Sequence, residues 1–167
     1  MTRLIGLPPL VSPDTRLLVL GSFPGAASLA AQQYYGHPQN QFWRILHAFY
    51  ASGADGICAS SYEKRSAWML SHGVGLWDVY ASCERQGSLD SQIRKAEVND
   101  FAALRQRCPQ LRAVAHNGAM SFRHAGQLEN LGLPTVRLPS TSPANASWSF
   151  ERKLAAWRDV FTQFGLI

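Results

Sequence analysis

Apolar residues fall along this chain in two arrangements. Short, mainly apolar runs occupy residues 16–22, 74–79, 111–115 and 135–138, each bounded by turn-forming residues. A strand covered on both faces has no polar side to show, so such runs predict buried parallel strands. Between them the spacing turns helical. Phe42, Ile45, Leu46 and Phe49 share one face, with Arg44 and His47 opposite. Ser60-Ser61-Tyr62-Glu63 reads as a capping box opening a helix that carries Ala67, Trp68 and Leu70 and stops at Gly73. Phe101, Leu104 and Cys108 mark another helix, closed by Pro109, and Phe122, Ala125 and Leu128 mark one that ends at Gly132 and Pro134. Phe150, Leu154, Trp157 and Phe161 stripe a long final helix, leaving Arg152, Lys153 and Arg158 for solvent. Pro8, Pro9 and Pro13 remove backbone donors from the opening stretch, which predicts an extended lead-in without an element of its own.

Strands alternating with helices imply an α/β fold: a three-layer α/β/α sandwich around a central four-stranded parallel sheet, built as a single domain over residues 1–167. Such sheets bind ligands beyond the carboxyl ends of their strands. The informative loops are therefore those after Leu20, Trp77, Ala115 and Leu138.

Composition narrows the setting. Hydrophobic residues make up 46% of the chain and charged residues only 16%, which excludes a disordered protein. No apolar run reaches the roughly 18 residues of a spanning helix, and the start lacks a secretory apolar core, so no membrane partner and a cytoplasmic location are expected. Cys58, Cys83 and Cys108 form no C-x-x-C pair, which argues against a disulfide framework and against a metal site. A net charge of +5 permits nucleic acid as a partner without establishing it. The phosphate loop, the dinucleotide glycine fingerprint, the serine elbow and the zinc deaminase signature are all absent.

The loops carry more chemistry than turns require. Gly21-Ser22-Phe23-Pro24-Gly25 leads into a stretch holding Tyr34, Tyr35, His37 and Asn40, aromatic rings beside an amide. That mixture suits a planar heterocycle stacked on one face and hydrogen-bonded at its edge. Equally, Tyr34, Phe42 and Trp43 could pack the core while Asn40 caps the next helix. Asp78, ending an apolar run, could accept the ring N–H of a base or anchor a turn. His116 invites a general-base role, and Asn117-Gly118 reads first as a turn. The last loop offers Ser140, Thr141, Ser142 and Asn145 ahead of a helix, an arrangement open to a phosphate or to ordinary capping.

Four segments occur in order: Gly21-Ser22-Phe23-Pro24-Gly25; Tyr35-Gly36-His37-Pro38-Gln39-Asn40-Gln41-Phe42-Trp43; residues 73–78 with Ser88-Leu89-Asp90; and Leu138-Pro139-Ser140-Thr141-Ser142-Pro143-Ala144-Asn145. Together they resemble the uracil-DNA glycosylase superfamily, and within it the hypoxanthine-DNA glycosylase family, over residues 5 to 165. The resemblance implies the same sandwich and an enzyme that flips a deaminated base out of DNA and hydrolyses its N-glycosidic bond. It implies deoxyinosine- or uracil-containing DNA as partner, and no cofactor, since the iron–sulfur branches need four cysteines. Carried over residue by residue, it makes Asn40 catalytic, Tyr35 the stacking aromatic and Asp78 the reader of the base edge. Ser22 and Phe23 join the base-binding set, while Ser140, Thr141, Ser142 and Asn145 grip the DNA backbone. Phe23 stands where mismatch-specific uracil relatives carry a water-orienting Asn, a departure the hypoxanthine family shares. Those relatives can also supply a bulky wedge from the last loop, and Ser142-Pro143-Ala144 offers none.

An amide positions water rather than deprotonating it, so Asn40 is expected to orient. Lys64, Lys95 and Lys153 lie outside the site loops, which predicts a monofunctional enzyme, and access to a duplex favours an open face, so a monomer is expected. The alternatives are a uracil or G:T/U mismatch glycosylase, a non-catalytic DNA-binding homologue, and a small hydrolase using Ser22 with His116 as base.

Overall fold

The structure, a computed structural model, describes residues 2–50 and 60–167; Cys58 lies outside them. Its centre is a four-stranded parallel sheet of β2 (Leu17–Gly21), β3 (Val74–Asp78), β6 (Ala113–Asn117) and β7 (Thr135–Leu138), ordered β3-β2-β6-β7. Leu17 pairs with Val74 on one side and Ala113 on the other, so all three strands end level at Gly21, Asp78 and His116 to Asn117. β2 and β6 are buried at every position. That burial is why their sequences show no alternation.

Helices cover both faces, giving the three layers expected. α2 (Phe42–Tyr50), α3 (Tyr62–Ser71) and α7 (Phe150–Gln163) belong to the first layer, where Phe42, Ile45, Leu46, Met69, Trp157 and Phe161 close over Leu17 and Val19. The opposite layer holds α4 (Leu104–Arg107), α5 (Ala119–Phe122) and α6 (Ala125–Glu129), and its core joins Leu18, Leu20, Val114, Leu104 and Leu128. At about 25 cal/mol per Å² of apolar surface, these two clusters supply the main drive for folding.

Several local expectations change. The helix at 62 is capped by Ser61, which accepts from the Lys64 amide at 3.2 Å, one residue later than the Ser60 capping box predicts. The pattern around Phe122 to Leu128 breaks into two short helices, α5 and α6. Lys153 is 2% exposed, because it follows Phe150 by one helical turn and shares the buried side of α7. A short α1 (Ala26–Ala31) interrupts the first site loop.

A second sheet goes beyond the sequence expectation. β1 (Leu4–Ile5), β4 (Tyr80–Glu84) and β5 (Arg94–Val98) form an antiparallel sheet in the order β1-β4-β5. The lead-in thus contributes a strand, and Leu10 bridges Leu76 at the edge of β3. β5 is exposed along nearly all its length, so Arg-Lys-Ala-Glu-Val carries no burial signal to read. This sheet holds the segment that runs from β4 past the site.

Candidate active site

The carboxyl ends of the parallel strands open into a cleft of about 850 Å³. Asn40, Ser22, Phe23, Tyr35 and Asp78 all line it, and so do Ser140, Thr141, Ser142 and Asn145. The expected residues therefore meet in one place. A cleft of this size accommodates a nucleotide-sized group.

Asp78 sits at its base, 4% exposed. Its carboxyl lies so close over Gly21 that a methyl group there would come within 2.5 Å of Oδ1. Oδ2 is buried and has no hydrogen-bond partner. Burial, reinforced by the nearby Asp90 carboxylate and opposed by Arg85, pushes Asp78 up to about 7. A carboxyl taken from water without a donor favours its neutral form.

Asp90 belongs to the cleft wall, on a single 3-10 turn over Asp90–Gln92. It accepts a hydrogen bond from the Ser22 hydroxyl at 2.7 Å. Its acidity is weakened by desolvation, against which the Ser22 bond and Arg85 act. Arg85, 5% exposed, donates to the Pro24 carbonyl at 2.6 Å and the Gly87 carbonyl at 2.9 Å, with its guanidinium 5.3 Å from the Phe23 ring centre. Asp90 falls in a segment that carries the resemblance but without a role, and Arg85 does not declare itself in the sequence. Both follow an unexpected strand, and their contacts join positions 68 and 61 residues apart.

Tyr35 adopts a left-handed backbone (φ 54°), which turns consecutive tyrosines apart. Tyr34 goes into the core and donates to the Pro8 carbonyl at 2.6 Å. Tyr35 faces the cleft, its ring centre 4.5 Å from that of Phe42. Its hydroxyl accepts from Asn117 Nδ2 at 3.0 Å. Burial and the Asp78 charge raise the phenol well above its ordinary range, so it stays neutral.

Asn117 is the residue that sequence reasoning underrates. Besides Tyr35, its Nδ2 donates to Thr141 Oγ1 at 3.0 Å, while its Oδ1 accepts from the Thr141 amide at 3.0 Å. It ties the end of β6 to both walls of the cleft. Thr141, expected among the DNA contacts, has no exposed surface and is a brace held by Asn117. The neighbouring loop holds itself: Ser140 Oγ accepts from the Ser142 amide, Ser142 Oγ from the Ala144 amide, and Asn145 Nδ2 donates to the Ser140 carbonyl. α7 begins only at Phe150, capped by Ser149, so this loop is not itself the entry to the helix.

Asn40 keeps both of its expected places. Oδ1 accepts from the Phe42 amide at 3.0 Å and caps the start of α2, and the residue borders the cleft. His116 does not reach the site. It is fully buried, its Nδ1 lies 2.7 Å from Ser121 Oγ, and that hydroxyl donates to the Leu20 carbonyl. Since Ser121 spends its proton on Leu20, His116 Nδ1 is the donor. Burial lowers the imidazole to about 4. With Ser22 committed to Asp90, a Ser22–His116 hydrolase pair is not assembled. Among the described residues no group of His, Cys, Asp and Glu could hold a metal ion, and no helix could cross a membrane.

The profile of the uracil DNA glycosylase superfamily matches residues 8–161. A curated protein named hypoxanthine DNA glycosylase from Methanosarcina acetivorans is 38% identical over 157 residues, covering 93% of this chain and 96% of its own. Another of that name from Methanosarcina barkeri is 35% identical over 156 residues, with 93% and 96% covered. A solution NMR structure from Methanosarcina acetivorans, provisionally described as a uracil DNA glycosylase, matches with a TM-score of 0.86 at 35% identity. That match covers 98% of this chain and 99% of the other. With its sheet, its strand-end cleft and nearly its whole length shared, this chain belongs to the uracil DNA glycosylase superfamily.

Proposed function

We propose that this protein is a monofunctional DNA glycosylase that excises hypoxanthine from deoxyinosine sites. The observation that carries the reading is Asp78: a buried carboxyl whose Oδ2 has no hydrogen-bond donor, at the floor of a cleft that also presents Tyr35 and Asn40. Hypoxanthine has an N1–H donor beside its O6 acceptor. As a carboxylate, Asp78 accepts that N–H, and the new hydrogen bond favours its charged form. Adenine presents a bare acceptor at the same place and is repelled.

Tyr35 stacks on the flipped base from a ring already backed by Phe42. Asn40 holds a water against C1′. The C1′–N9 bond breaks and the base leaves with the bonding electrons; the water's oxygen bonds to C1′ and gives up a proton, which balances the proton the departing base takes up. Products are free hypoxanthine and an abasic site. Catalysis rests on placement and on stabilising the departing base. Ser140, Ser142 and Asn145 border the strand entry, with Arg137 beside them for a phosphate. Neither Lys64, Lys95 nor Lys153 lines the cleft, which supports water as the nucleophile. The protein acts as a single domain and a monomer in the cytoplasm.

Uracil also carries an N–H next to a carbonyl, so Asp78 alone does not separate the two lesions. The test is excision from matched duplexes containing deoxyinosine, uracil, G:T or G:U. Faster release from deoxyinosine supports the proposal. Faster release from uracil or mismatches replaces it with the uracil reading, and no release from any duplex leaves a DNA-binding homologue. Borohydride trapping of a covalent adduct would contradict the monofunctional mechanism.

A further inference from the structure

Extruding a nucleotide leaves a vacancy about 3.4 Å deep in the base stack, open to collapse or to the returning base. Proteins that unstack DNA fill such gaps with apolar side chains. The loop at 140–145 has only Ser142, Pro143 and Ala144 to offer, and Ser140 and Ser142 use their hydroxyls to brace it.

The segment at 88–91, which also lines the cleft, is different. Leu89 is 53% exposed and lines the cleft beside Asp90. The other exposed large apolar residues among those described, Ile5 and Ile167, do not border it. Leu89 is also held in place. Arg85 Nε donates to the Gly87 carbonyl, Ser88 Oγ accepts from the Ala26 amide at 2.9 Å, and Asp90 accepts from Ser22. The Leu89 carbonyl accepts from the Gln92 amide and closes the turn that follows. A leucine so exposed loses apolar contact, yet three anchors fix the backbone that presents it.

Resting on the glycosylase reading, we propose that Leu89 is the wedge that enters the base stack and fills the place of the flipped nucleotide. Its coupling is direct, since Asp90 and Ser22 join the wedge loop to the strand end beneath the base. The wedge is needed where a stack exists to be filled. It matters far less on a single strand.

The test compares Leu89→Ala and Leu89→Met with wild type on two deoxyinosine substrates, a duplex opposite cytosine and a single strand, under single-turnover conditions. Losing most of the apolar side chain is expected to slow duplex excision by about 10- to 100-fold. The loss on single strand is expected to be at least tenfold smaller, and Leu89→Met to recover most of the duplex rate. Equal losses on both substrates, or wild-type duplex activity in Leu89→Ala, would overturn the proposal. Binding to a duplex carrying a tetrahydrofuran abasic site needs no excision and reads the wedge by itself. There Leu89→Ala weakens affinity about tenfold relative to an undamaged duplex; unchanged relative affinity also overturns the wedge. If wild type excises nothing but the abasic preference is Leu89-dependent, the wedge stands and the assignment of the excised base is what fails.

Discussion

Replacing Asp78 with Asn tests whether the cleft floor holds a strained acid. The substitution keeps the shape and removes the charge. In the unfolded chain the carboxyl titrates at 3.8, and in the folded protein at about 7. Below pH 3.8 the proton is bound in both states and the site carries no penalty. As the pH rises towards 7 the unfolded chain releases its proton and the folded chain keeps it, so stability falls. Above about 7 both states are ionised and the loss stays at full size. At about 1.4 kcal/mol per tenfold change in acidity, the difference amounts to about 4 kcal/mol.

Asp78→Asn escapes that loss. Relative to wild type it gains about 1 kcal/mol near pH 4.5 and about 4 kcal/mol by pH 8, the latter worth about 10 °C in melting temperature for a domain of this length. The assay is thermal unfolding of both proteins in steps across pH 4.5 to 8.5, with the difference plotted so that shared titrations cancel. A flat difference would refute the buried-acid account, as would a wild type more stable than the variant at pH 8. In excision assays the same variant is expected to discriminate less well among bases, because an amide can turn either a donor or an acceptor to the edge. An unchanged preference would remove Asp78 from edge reading.

Three further outcomes follow from the same geometry. Asn40→Asp keeps the oxygen that caps α2, so its melting temperature stays close to wild type, whereas excision falls about 100-fold or more through loss of the amide donor; full activity in the Asn40→Asp protein would show that only the cap matters. Asn117→Ala strands the Thr141 amide and loosens Tyr35, costing about 2–4 kcal/mol, read as a lower urea midpoint with an unchanged slope. His116 accounts for a loss on the acid side: from pH 6.5 down towards 4 the unfolded chain binds a proton that the buried ring refuses, which removes about 3 kcal/mol. His116→Asn is expected to flatten that limb of a pH–stability curve, and an unaltered slope would place the titration elsewhere.

How far the fold can be read from the sequence depends on burial. Leu17 to Leu20 lie in a strand covered on both sides, so their apolar run is visible and the parallel sheet with it. Arg94 to Val98 lie in a strand with solvent along it, so composition there resembles a loop and the second sheet stays hidden. Site residues divide on a related line. Asp78 ends a strand and Asn40 precedes a helix, positions that the topology marks, whereas Tyr35 lies in the turn between α1 and α2 and is singled out by its aromatic neighbours and by the resemblance. Asp90 stands in a quoted segment, yet its role and that of Arg85 come only through contacts with Ser22 and Pro24, which no local pattern announces. Asn117 is visible as a residue but not in its role, because a strand-end Asn looks the same whether it turns the chain or pins Tyr35 to Thr141.

Gly21 lies against both Asp78 and Tyr35. Its backbone needs no glycine conformation, so the requirement is space alone: a methyl group would meet Asp78 Oδ1 at 2.5 Å and Tyr35 Oη at 3.3 Å. Gly21→Ala is therefore expected to displace the Asp78 carboxyl, lowering both stability and base discrimination without touching a reacting group. If the carboxyl is the cause, the penalty depends on its presence. In an Asp78→Ala background only the 3.3 Å approach to Tyr35 Oη remains, and the cost of Gly21→Ala shrinks to near zero as the stiffer unfolded chain offsets it. The two substitutions are thus strongly non-additive in melting temperature, as neighbours sharing one space should be. Equal effects of Gly21→Ala in both backgrounds would mean that the strand end tolerates no side chain for some other reason. The close approach of Asp78 to the Gly21 backbone would then not be what shapes the cleft floor.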